Sequence, residues 1–320
     1  MRTAVVALGG NALTREDQAG TFQVQRANAR KMARAIGHLL DADYRVVVTH
    51  GNGPQVGNLS LQQEQGATLA PPQPLFVLDA MTQGQIGHLL SLSLTNLIGD
   101  PRKVVALVTH VLVDPRDPAF GKPTKPIGPF FDREGAGQLA SEWGWNVLED
   151  AGRGFRRVVP SPEPREILEA DSIRALVDGG FIVIAAGGGG VPVVRRRGRL
   201  EGVDAVIDKD LSAQCLASAV GAELLVLLTG VDRVALDFGT PGARPLATMT
   251  VPEAERYLEE GQFPPGSMGP KIQAALCFLR SGGEVAIITS ADRAAEALAG
   301  THGTRVVWPS EAAVQSAVGE

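Results

Sequence analysis

The sequence contains few aromatic residues and few cysteines, and both shortages narrow what the protein can be. Aromatic residues make up 5% of the 320 residues and hydrophobic residues 44%, so the core must consist mainly of aliphatic side chains. The two cysteines, Cys215 and Cys277, lie far apart in apolar, helix-like segments. They indicate neither a disulfide framework nor a metal-binding cluster, and we expect both to be buried free thiols.

The sequence also lacks a long hydrophobic run and an excess of positive charge. No run approaches the roughly 20 apolar residues of a transmembrane helix. Met1-Arg2-Thr3 leads directly into a strand-like run, without a signal peptide. We therefore expect a cytoplasmic protein with no membrane partner. With 30 Lys+Arg against 35 Asp+Glu, the net charge is −5, which argues against nucleic acid as a partner.

Short apolar runs alternate with amphipathic helical patterns along the chain. The runs predict strands at Ala4–Leu8, Arg45–Thr49, Val104–Val113, Arg157–Val159, Phe181–Ala186, Leu224–Leu228, Glu284–Thr289 and Thr304–Trp308. The patterns predict helices at Val24–Leu40, Ala80–Leu97, Arg165–Val177 and Asp210–Val220. Most strands are continuously apolar, as strands covered on both faces are. The alternation predicts an α/β fold, an open three-layer αβα sandwich around a central, mainly parallel sheet.

One segment interrupts this alternation. Residues 114–164 are rich in proline, glycine and charged residues, as in "DPRDPAFGKPTKPIGPFFDREG". The segment is too long for an ordinary loop in a compact domain. We therefore predict a single domain over residues 1–320 with a small protruding lobe inserted at about 114–164. We further expect this lobe to act as a lid, hinged at Asp114 and at Pro160–Pro164.

Four glycine-rich turns follow predicted strands: "GGN" (9–11), "HGNGPQVG" (50–57), "GGGGVP" (187–192) and "TGVD" (229–232). Ligands bind at the carboxyl ends of strands in open parallel sheets, and backbone N–H groups in such turns bind anions. The four turns therefore predict an anion-binding edge. The chain has no Walker motif, and Leu13 stands where a dinucleotide-binding fingerprint has its third glycine, which excludes a Rossmann dehydrogenase.

Lysine is scarce, and two of the six lysines begin predicted helices. Asp208 is a typical N-cap and places Lys209 in a first turn, while Pro270 suits a first helical position and places Lys271 directly after it. A cation there opposes the helix dipole. Two such lysines beside these turns indicate a polyphosphate ligand. Lys122 and Lys125 lie in the lobe. For these two lysines, an ordinary position in a solvated loop is as good an interpretation as a role in binding the ligand.

Several blocks of the sequence resemble the carbamate kinases, a group within the amino acid kinase family. They are "VVALGGNAL", "HGNGPQVGN", "AMTQGQIG", "PTKPIGPF", "EDAGRGFRRVVPSP", "GGGGVPVV", "AVIDKDL", "LTGVD" and "FPPGSMGPKI". They occur in family order from residue 5 to about 272. The lobe and its "EDAGRGFRRVVPSP" block are specific to carbamate kinases, because acetylglutamate and uridylate kinases lack that lobe.

The resemblance implies a homodimer that catalyses ATP + carbamate ⇌ ADP + carbamoyl phosphate with Mg²⁺. It implies a carbamate-side half at about 1–200 and a nucleotide-side half at about 201–320. The catalytic residues it implies are Lys125, Lys209, Asp210, Lys271 and Asn11. The residues it places around the transferred phosphoryl group are Gly9, Gly10, Gly51, Asn52 and Gly53. Those it places around the nucleotide are Thr229, Gly230, Val231, Asp232, Met268 and Pro270. It gives no protein residues as metal ligands.

Elementary chemistry agrees with this implied reaction. Phosphoryl transfer requires positioning and positive charge more than covalent catalysis. Carbamate is already ionised and needs no general base, so the absence of an obvious catalytic histidine is expected, and His50 is interpreted as shaping its turn. Two alternatives remain open, namely a related kinase acting on a larger carboxylate or nucleotide, and a non-catalytic nucleotide sensor. The lobe around Lys125 favours carbamate over the first, and the joint presence of the lysines argues against the second.

Overall fold

The structure is a computed structural model, and it describes residues 1–9, 13–14, 18, 20–150, 152–264 and 266–309. Within these residues the α-helices are α1 (Phe22–Asp41), α2 (Gly53–Gly66), α3 (Leu75–Ile98), α4 (Arg133–Trp143), α5 (Ala170–Asp178), α6 (Lys209–Ala219), α7 (Val251–Glu259), α8 (Met268–Arg280) and α9 (Ala294–Leu298). Short 3₁₀ turns lie at Pro101–Lys103, Pro118–Gly121, Gly187–Gly189 and Ala291–Arg293.

The strands in the same residues form four sheets. They are β1 (Thr3–Leu8), β2 (Arg45–His50), β3 (Val104–Ala106), β4 (His110–Leu112), β5 (Lys125–Phe131), β6 (Val147–Glu149), β7 (Phe155–Val159), β8 (Glu166–Ile167), β9 (Ile182–Ile184), β10 (Val191–Arg196), β11 (Arg199–Gly202), β12 (Leu224–Thr229), β13 (Ala235–Leu236), β14 (Arg244–Pro245), β15 (Thr248–Thr250), β16 (Val285–Ser290) and β17 (Thr304–Val307).

The main sheet has eight strands in the order β15-β17-β16-β12-β1-β2-β9-β3. All neighbouring pairs in it are parallel except β16 with β17. Alternate residues of β1 enter two different cores: Val5 and Ala7 pack on the side of α5, α6 and α8, whereas Val6 and Leu8 pack on the side of α1 and α3. The sheet is therefore covered on both faces, and the predicted three-layer sandwich is confirmed.

The segment 114–164 folds largely outside the main sheet. Strands β5, β7 and β6 form a separate antiparallel sheet with α4 beside it. A smaller core attaches this unit to the rest of the protein, because Ile127 of β5 is completely buried with Val56 of α2 and Leu78 of α3. We keep the name lobe for residues 114–164.

Strand β5 and helix α2 approach each other at backbone distance. A Cβ atom added to Gly57 of α2 would lie 2.0 Å from the backbone nitrogen of Gly128. Gly128 itself has a φ of +74°, which favours glycine for a second reason. The contact fixes the position of β5, and with it Lys125 at its first residue.

Three predicted elements differ from the structure. The helix expected at Ala80–Leu97 begins five residues earlier, at Leu75. The apolar run Val104–Val113 was expected as one strand, but it divides into β3 in the main sheet and β4 in the sheet β11-β10-β4-β8. The change of sheet falls at Thr109, whose hydroxyl accepts the Ala186 N–H at 3.0 Å. The helix predicted at Arg165–Val177 begins only at Ala170, because Glu166 and Ile167 pair with β4 as strand β8.

None of the helices in the described residues combines the length and the apolar character needed to cross a membrane.

Candidate functional site

The four glycine-rich turns lie at one edge of the main sheet. The turns at Gly9, Gly51, Gly187 and Gly230 follow β1, β2, β9 and β12, which are mutually parallel neighbours in the sheet. Gly9 lies against β12, since a Cβ added to it would be 2.9 Å from the Leu228 carbonyl oxygen. The carboxyl ends of the central strands therefore meet there, as predicted. Gly10 and Asn11 lie outside the described residues.

His50 and Asn52 fill the space between β2 and the Gly187–Gly190 turn. A Cβ on Gly187 would lie 2.2 Å from His50 Nε2, and one on Gly188 would lie 2.3 Å from Asn52 Nδ2. The His50 Nδ1 atom is 3.1 Å from the Gly51 carbonyl oxygen. Burial lowers the pKa of His50 to about 4, so the ring is neutral at pH 7. These contacts support the interpretation that His50 shapes its turn.

Lys209, Asp210 and Lys271 form one buried cluster at this edge. Both lysine Nζ atoms lie 3.0 Å from the same carboxylate oxygen, Asp210 Oδ2. The Lys271 Nζ atom is also 3.4 Å from the Ser267 carbonyl oxygen. The side chains of Lys271 and Asp210 are 8% and 4% exposed. Asp210 lies in the first turn of α6 and Lys271 in that of α8, so the packing of these two helices assembles the cluster.

The ionisation of the cluster follows from its contacts. For Asp210, burial acts to raise the carboxyl pKa, but the two lysines outweigh it and lower the pKa. For Lys209, burial acts to lower the pKa, but Asp210 and Asp208 outweigh it and raise the pKa. For Lys271, burial and the Lys209 charge lower the pKa against the pull of Asp210. Two ammonium groups thus compete for one carboxylate oxygen.

Asp208 extends the cluster to the lobe. Its Oδ1 atom accepts the Asp210 backbone N–H at 2.9 Å and so caps α6, as predicted. Its Oδ2 atom lies 2.5 Å from Lys125 Nζ. Burial acts to raise the pKa of Asp208, but Lys125 and Lys209 lower it well below its usual value. Three lysines now stand against two aspartates, which leaves one positive charge in excess.

The start of α8 differs from the prediction. Pro270 was expected at the first helical position with Lys271 second, but α8 begins at Met268. The Gly269 N–H is bonded to the Pro264 carbonyl at 2.9 Å, and a Cβ on Gly269 would lie 3.1 Å from the same oxygen. The preceding turn thus starts the helix earlier. Lys271 is nevertheless still in the first turn.

The residues predicted near the nucleotide lie on the same edge of the sheet. Their side chains take no part in the hydrogen bonds described above for the lysine cluster. Thr229 ends β12 and is paired in register with Ser290, the last residue of β16. The Ser290 hydroxyl donates to Asp232 at 2.5 Å. Gly230 and Asp232 are exposed, while Val231, Met268 and Pro270 are half-buried. These side chains form an accessible border beside the buried lysines.

Sequence reasoning missed three polar residues of this edge. Asp208 was recognised only as a helix cap, although it also holds Lys125. Asp79 and Thr82 of α3 were not identified, and both bind the Asn52 side chain, as analysed below. A buried aspartate within an apolar helix, as in "FVLDAMTQG", was the available signal for Asp79.

A resident metal site is not evident among the described side chains, which contain no group of three His, Cys, Asp or Glu residues that could hold an ion. Mg²⁺ in nucleotide-dependent enzymes is commonly held by one or two carboxylates, the substrate phosphates and water. Asp208 and Asp210 lie at the correct edge for such a role, although lysines already contact both carboxylates. Among the described residues, Asp208 and Asp210 are thus the carboxylates of the cluster that a metal ion could use.

Comparisons with known proteins agree with this geometry. A family model described as the amino acid kinase family matches residues 2–290. Carbamate kinase from Thermococcus kodakarensis is 51% identical over 313 residues, covering 96% of this chain and 99% of that protein. Carbamate kinase from Pyrococcus horikoshii is 50% identical, with 94% and 98% covered.

Solved structures lead to the same group. Carbamate kinase from Giardia lamblia bound to citric acid superposes with a TM-score of 0.91 at 41% identity, covering 96% of this chain and 98% of that one. The same enzyme bound to AMP-PNP gives a TM-score of 0.88 at 42% identity and the same coverage. The chain therefore belongs to the amino acid kinase family and, within that family, to the carbamate kinases.

Proposed function

We propose that the protein catalyses the reversible transfer of a phosphoryl group between ATP and carbamate, giving ADP and carbamoyl phosphate. The observation that carries this proposal is the cluster in which Lys209 and Lys271 share one Asp210 oxygen, with Lys125 bound to the adjacent Asp208. The cluster places a net positive charge at the ends of four parallel strands. The Giardia relative is bound to AMP-PNP, which supports a nucleotide as one substrate of this chain.

The reaction requires no proton transfer by the protein. In the direction of ATP formation, a β-phosphate oxygen of ADP attacks the phosphorus atom of carbamoyl phosphate. The bond between phosphorus and the carbamoyl oxygen breaks, and carbamate leaves as an anion with the bonding electron pair. What the protein must supply is alignment of the two anions and neutralisation of the charge on the transferred group.

Lys209 and Lys271 are proposed to contact the nucleotide phosphates. Asp210 holds both ammonium groups at one oxygen, which fixes their positions before a substrate arrives. Such fixed cations require little reorganisation during the reaction, which is the basis of electrostatic catalysis. An incoming phosphate would satisfy the remaining donors of both lysines.

Lys125 is proposed to reach the transferred phosphoryl group from the lobe. Its Nζ atom lies 2.5 Å from Asp208 Oδ2. The Asp208 carboxylate also interacts electrostatically with Lys209, so it links the two lysines. The turns containing Gly9, Gly10, Asn11, Gly51, Asn52 and Gly53 are proposed to bind the acyl phosphate through backbone N–H groups. Carbamate has almost no apolar surface, so backbone and amide groups suit it.

The border formed by Thr229–Asp232, Met268 and Pro270 is proposed to hold the nucleoside. When bound with the nucleotide, Mg²⁺ would supply charge neutralisation at the phosphates. Asp210 and Asp208 would then orient the lysines around the bound nucleotide.

A coupled assay tests the function directly. Purified protein is mixed with ADP, MgCl₂ and carbamoyl phosphate, and ATP is measured with hexokinase and glucose-6-phosphate dehydrogenase. We expect ATP formation with carbamoyl phosphate and none with acetyl phosphate or N-acetylglutamyl phosphate. A preference for either of the latter would contradict the proposal, because it would indicate that the acceptor is a carboxylate other than carbamate.

We propose in addition that the protein is a homodimer. Met81, His88 and Leu92 share one exposed face of α3, and Val108 follows the edge strand β3 beside it. An edge strand and an apolar helix face together favour burial against a second copy. Light scattering should give a mass of two chains, and Leu92→Glu should shift it towards one. A monomeric parent protein would contradict this proposal.

The proposed cellular role follows from the reaction. ADP, ATP and carbamoyl phosphate are cytoplasmic metabolites, so we place the enzyme in the cytoplasm. Breakdown of arginine or of purines would supply carbamoyl phosphate and make ATP. A strain lacking the gene should then accumulate carbamoyl phosphate when grown on such a nitrogen source.

A further inference from the structure

The side chain of Asn52 is held by helix α3 through both of its N–H groups. Asn52 Nδ2 donates to Asp79 Oδ1 at 2.9 Å and to Thr82 Oγ1 at 2.9 Å. The Thr82 hydroxyl donates in turn to the Asp79 carbonyl oxygen at 2.7 Å, so its oxygen is an acceptor towards Asn52. Asn52, Asp79 and Thr82 are 2%, 0% and 0% exposed. The amide orientation is therefore fixed by its partners.

This arrangement diverts Asn52 from the position that its place in the sequence favours. Asn52 immediately precedes α2, and asparagine is among the strongest N-caps because its oxygen accepts a first-turn N–H. Here the side chain makes no cap hydrogen bond. Within the described part of the chain, the backbone N–H groups of Gly53 and Gln55 have no partner. The Gln55 N–H is the one that an Asn52 cap would bind, since Pro54 has no N–H.

The first turn of α2 also carries an unpartnered side-chain atom. Gln55 is 4% exposed, and its Oε1 atom has no hydrogen bond within the described residues, while its Nε2 atom contacts Thr14 at 3.2 Å. The end of α2 thus presents two backbone donors and an unsatisfied amide group. Such an end is suited to an anionic ligand that also has N–H donors, as carbamoyl phosphate does.

Asp79 lacks the surroundings of an ionised carboxylate. No ion pair to it occurs among the described residues, and its Oδ2 atom is buried without a partner. Burial raises the pKa of Asp79 well above its usual value, with the Asp204 charge acting in the same direction against the Asn52 hydrogen bond. A neutral carboxyl group is the form that such a site accommodates. Its Oδ1 atom still accepts the Asn52 N–H.

We propose that Asp79 and Thr82 are positioning residues, which hold the Asn52 side chain on α3 and so keep the Gln55 N–H group, beside that of Gly53, available to the acyl phosphate. The inference rests on the proposed function for the identity of the ligand. Its physical content is a competition: Asn52 either caps α2 itself or leaves that end to the substrate.

Two matched pairs of variants test the competition. Asp79→Asn and Thr82→Ser keep the acceptors for Asn52, whereas Asp79→Leu and Thr82→Val remove them. We expect Asp79→Leu and Thr82→Val to raise the KM for carbamoyl phosphate about tenfold and to leave the KM for ADP unchanged. We expect Asp79→Asn and Thr82→Ser to stay within about threefold of the parent, a difference below 1 kcal/mol.

The result can be separated from a loss of folding and from a failure of the proposed function. A structural defect would lower kcat and affect both substrates equally, whereas the competition affects one KM. Valine is nearly isosteric with threonine, so Thr82→Val should fold. It therefore still tests the inference if Asp79→Leu does not fold. If the parent makes no ATP, the proposed function fails. The same pairs of variants are then compared by how much inorganic phosphate raises their melting temperatures.

Two outcomes would overturn the inference. The first is that Asp79→Asn is as defective as Asp79→Leu, because the charge of Asp79 would then be needed. The second is that Thr82→Val and Asp79→Leu fold and retain parental KM values for carbamoyl phosphate and parental stabilisation by phosphate.

Discussion

At the scale of single residues, the shared oxygen of Asp210 changes what a lysine substitution should do. From the sequence, a lysine in a first helical turn opposes the helix dipole, so its removal should leave stability unchanged or slightly raised. In the structure Lys271 is buried and paired with Asp210 at 3.0 Å. Breaking a buried ion pair destabilises a protein, and this effect exceeds the dipole effect.

We therefore predict that Lys271→Ala lowers kcat by about 10²–10³-fold and also lowers the melting temperature. The kinetic loss arises because a cation that neutralises the phosphates is missing. The matched control is Lys103→Ala, since Lys103 Nζ lies over the Phe181 ring at 5.8 Å, just before β3 at the opposite end of the sheet. A near-normal kcat for Lys271→Ala in the steady-state assay would exclude the phosphate role.

His50 makes a pH prediction of a definite sign. Its pKa is about 4 in the folded protein against an ordinary 6.5. Between these values the unfolded chain binds the proton and the folded one does not, so His50 costs stability as the pH falls from about 7 to 4. The full difference is on the order of 3 kcal/mol.

The measurement is the free energy of unfolding of the parent and His50→Gln at pH 7 and pH 4. We expect the parent to lose stability relative to His50→Gln as the pH falls. Asp79, whose pKa is raised, contributes to stability with the opposite sign as the pH falls. Because Asp79 is present in both proteins, the difference between their free energies of unfolding reports on His50 alone. Parallel curves for the parent and His50→Gln would contradict the assignment.

At the scale of secondary-structure elements, the approach of α2 to β5 places Lys125 beside Asp208 at the lysine cluster. A methyl group at Gly57 would overlap the Gly128 nitrogen, 2.0 Å away, and backbone cannot move aside as a long side chain can. We predict that Gly57→Ala separates β5 from α2, with a kcat reduced more than tenfold, comparable to removing a transition-state contact.

Helix α2 offers its own control for this change. Gly66, at the other end of α2, has open space where a Cβ would stand, so Gly66→Ala should leave activity and stability near the parent values. Both variants are compared by steady-state kinetics and thermal melting. If Gly57→Ala matches Gly66→Ala in both measurements, the close contact does not position Lys125.

Most elements could be predicted because their signals are local. The buried runs at Ala4–Leu8 and Leu224–Leu228 are almost entirely apolar, and each forms a central strand within one residue of the predicted ends. The run Val104–Val113 failed because its division depends on which distant strand each half meets. Likewise Glu166–Ile167 forms a strand only because β4 is beside it.

The candidate site divides in the same way. The glycine turns and Lys209 were recognisable from helix and strand ends, so their place at one edge followed from the topology. The link from Asp208 to Lys125 spans 83 positions, and that from Asn52 to Asp79 joins two helices. No local pattern encodes such contacts, since they arise from packing.

At the scale of the whole molecule, the structure narrows the predicted motion of the lobe. The sequence suggested a lid with fast amide exchange over residues 114–132, but Lys125–Phe131 forms strand β5 and Ile127 is fully buried. Both proposed hinges are also tied down: Asp114 pairs with Arg165 at 2.6 Å, and Pro160 accepts the Val206 N–H at 2.9 Å. The closing motion remains a prediction.

We now expect fast exchange in the free enzyme only at residues 114–124, where one 3₁₀ turn is the regular structure. Exchange there should slow when ADP and carbamoyl phosphate bind, whereas β5 should exchange slowly in both states. Hydrogen exchange read by mass spectrometry distinguishes these segments. Equal exchange with and without ligands would show that the lobe is fixed, and fast exchange in β5 would show that the whole lobe opens.

The lysine cluster also has a consequence for how quickly the two anions reach each other. The protein as a whole carries a net charge of −5, which opposes the approach of ADP and carbamoyl phosphate, whereas the excess positive charge of the lysine cluster attracts them locally. Such local attraction steers diffusing ligands and is screened within about 8–10 Å at physiological ionic strength. Added salt should therefore slow ligand association. The rate of phosphoryl transfer within the bound complex should stay nearly constant, because Lys271 and Asp210 are buried and little screened.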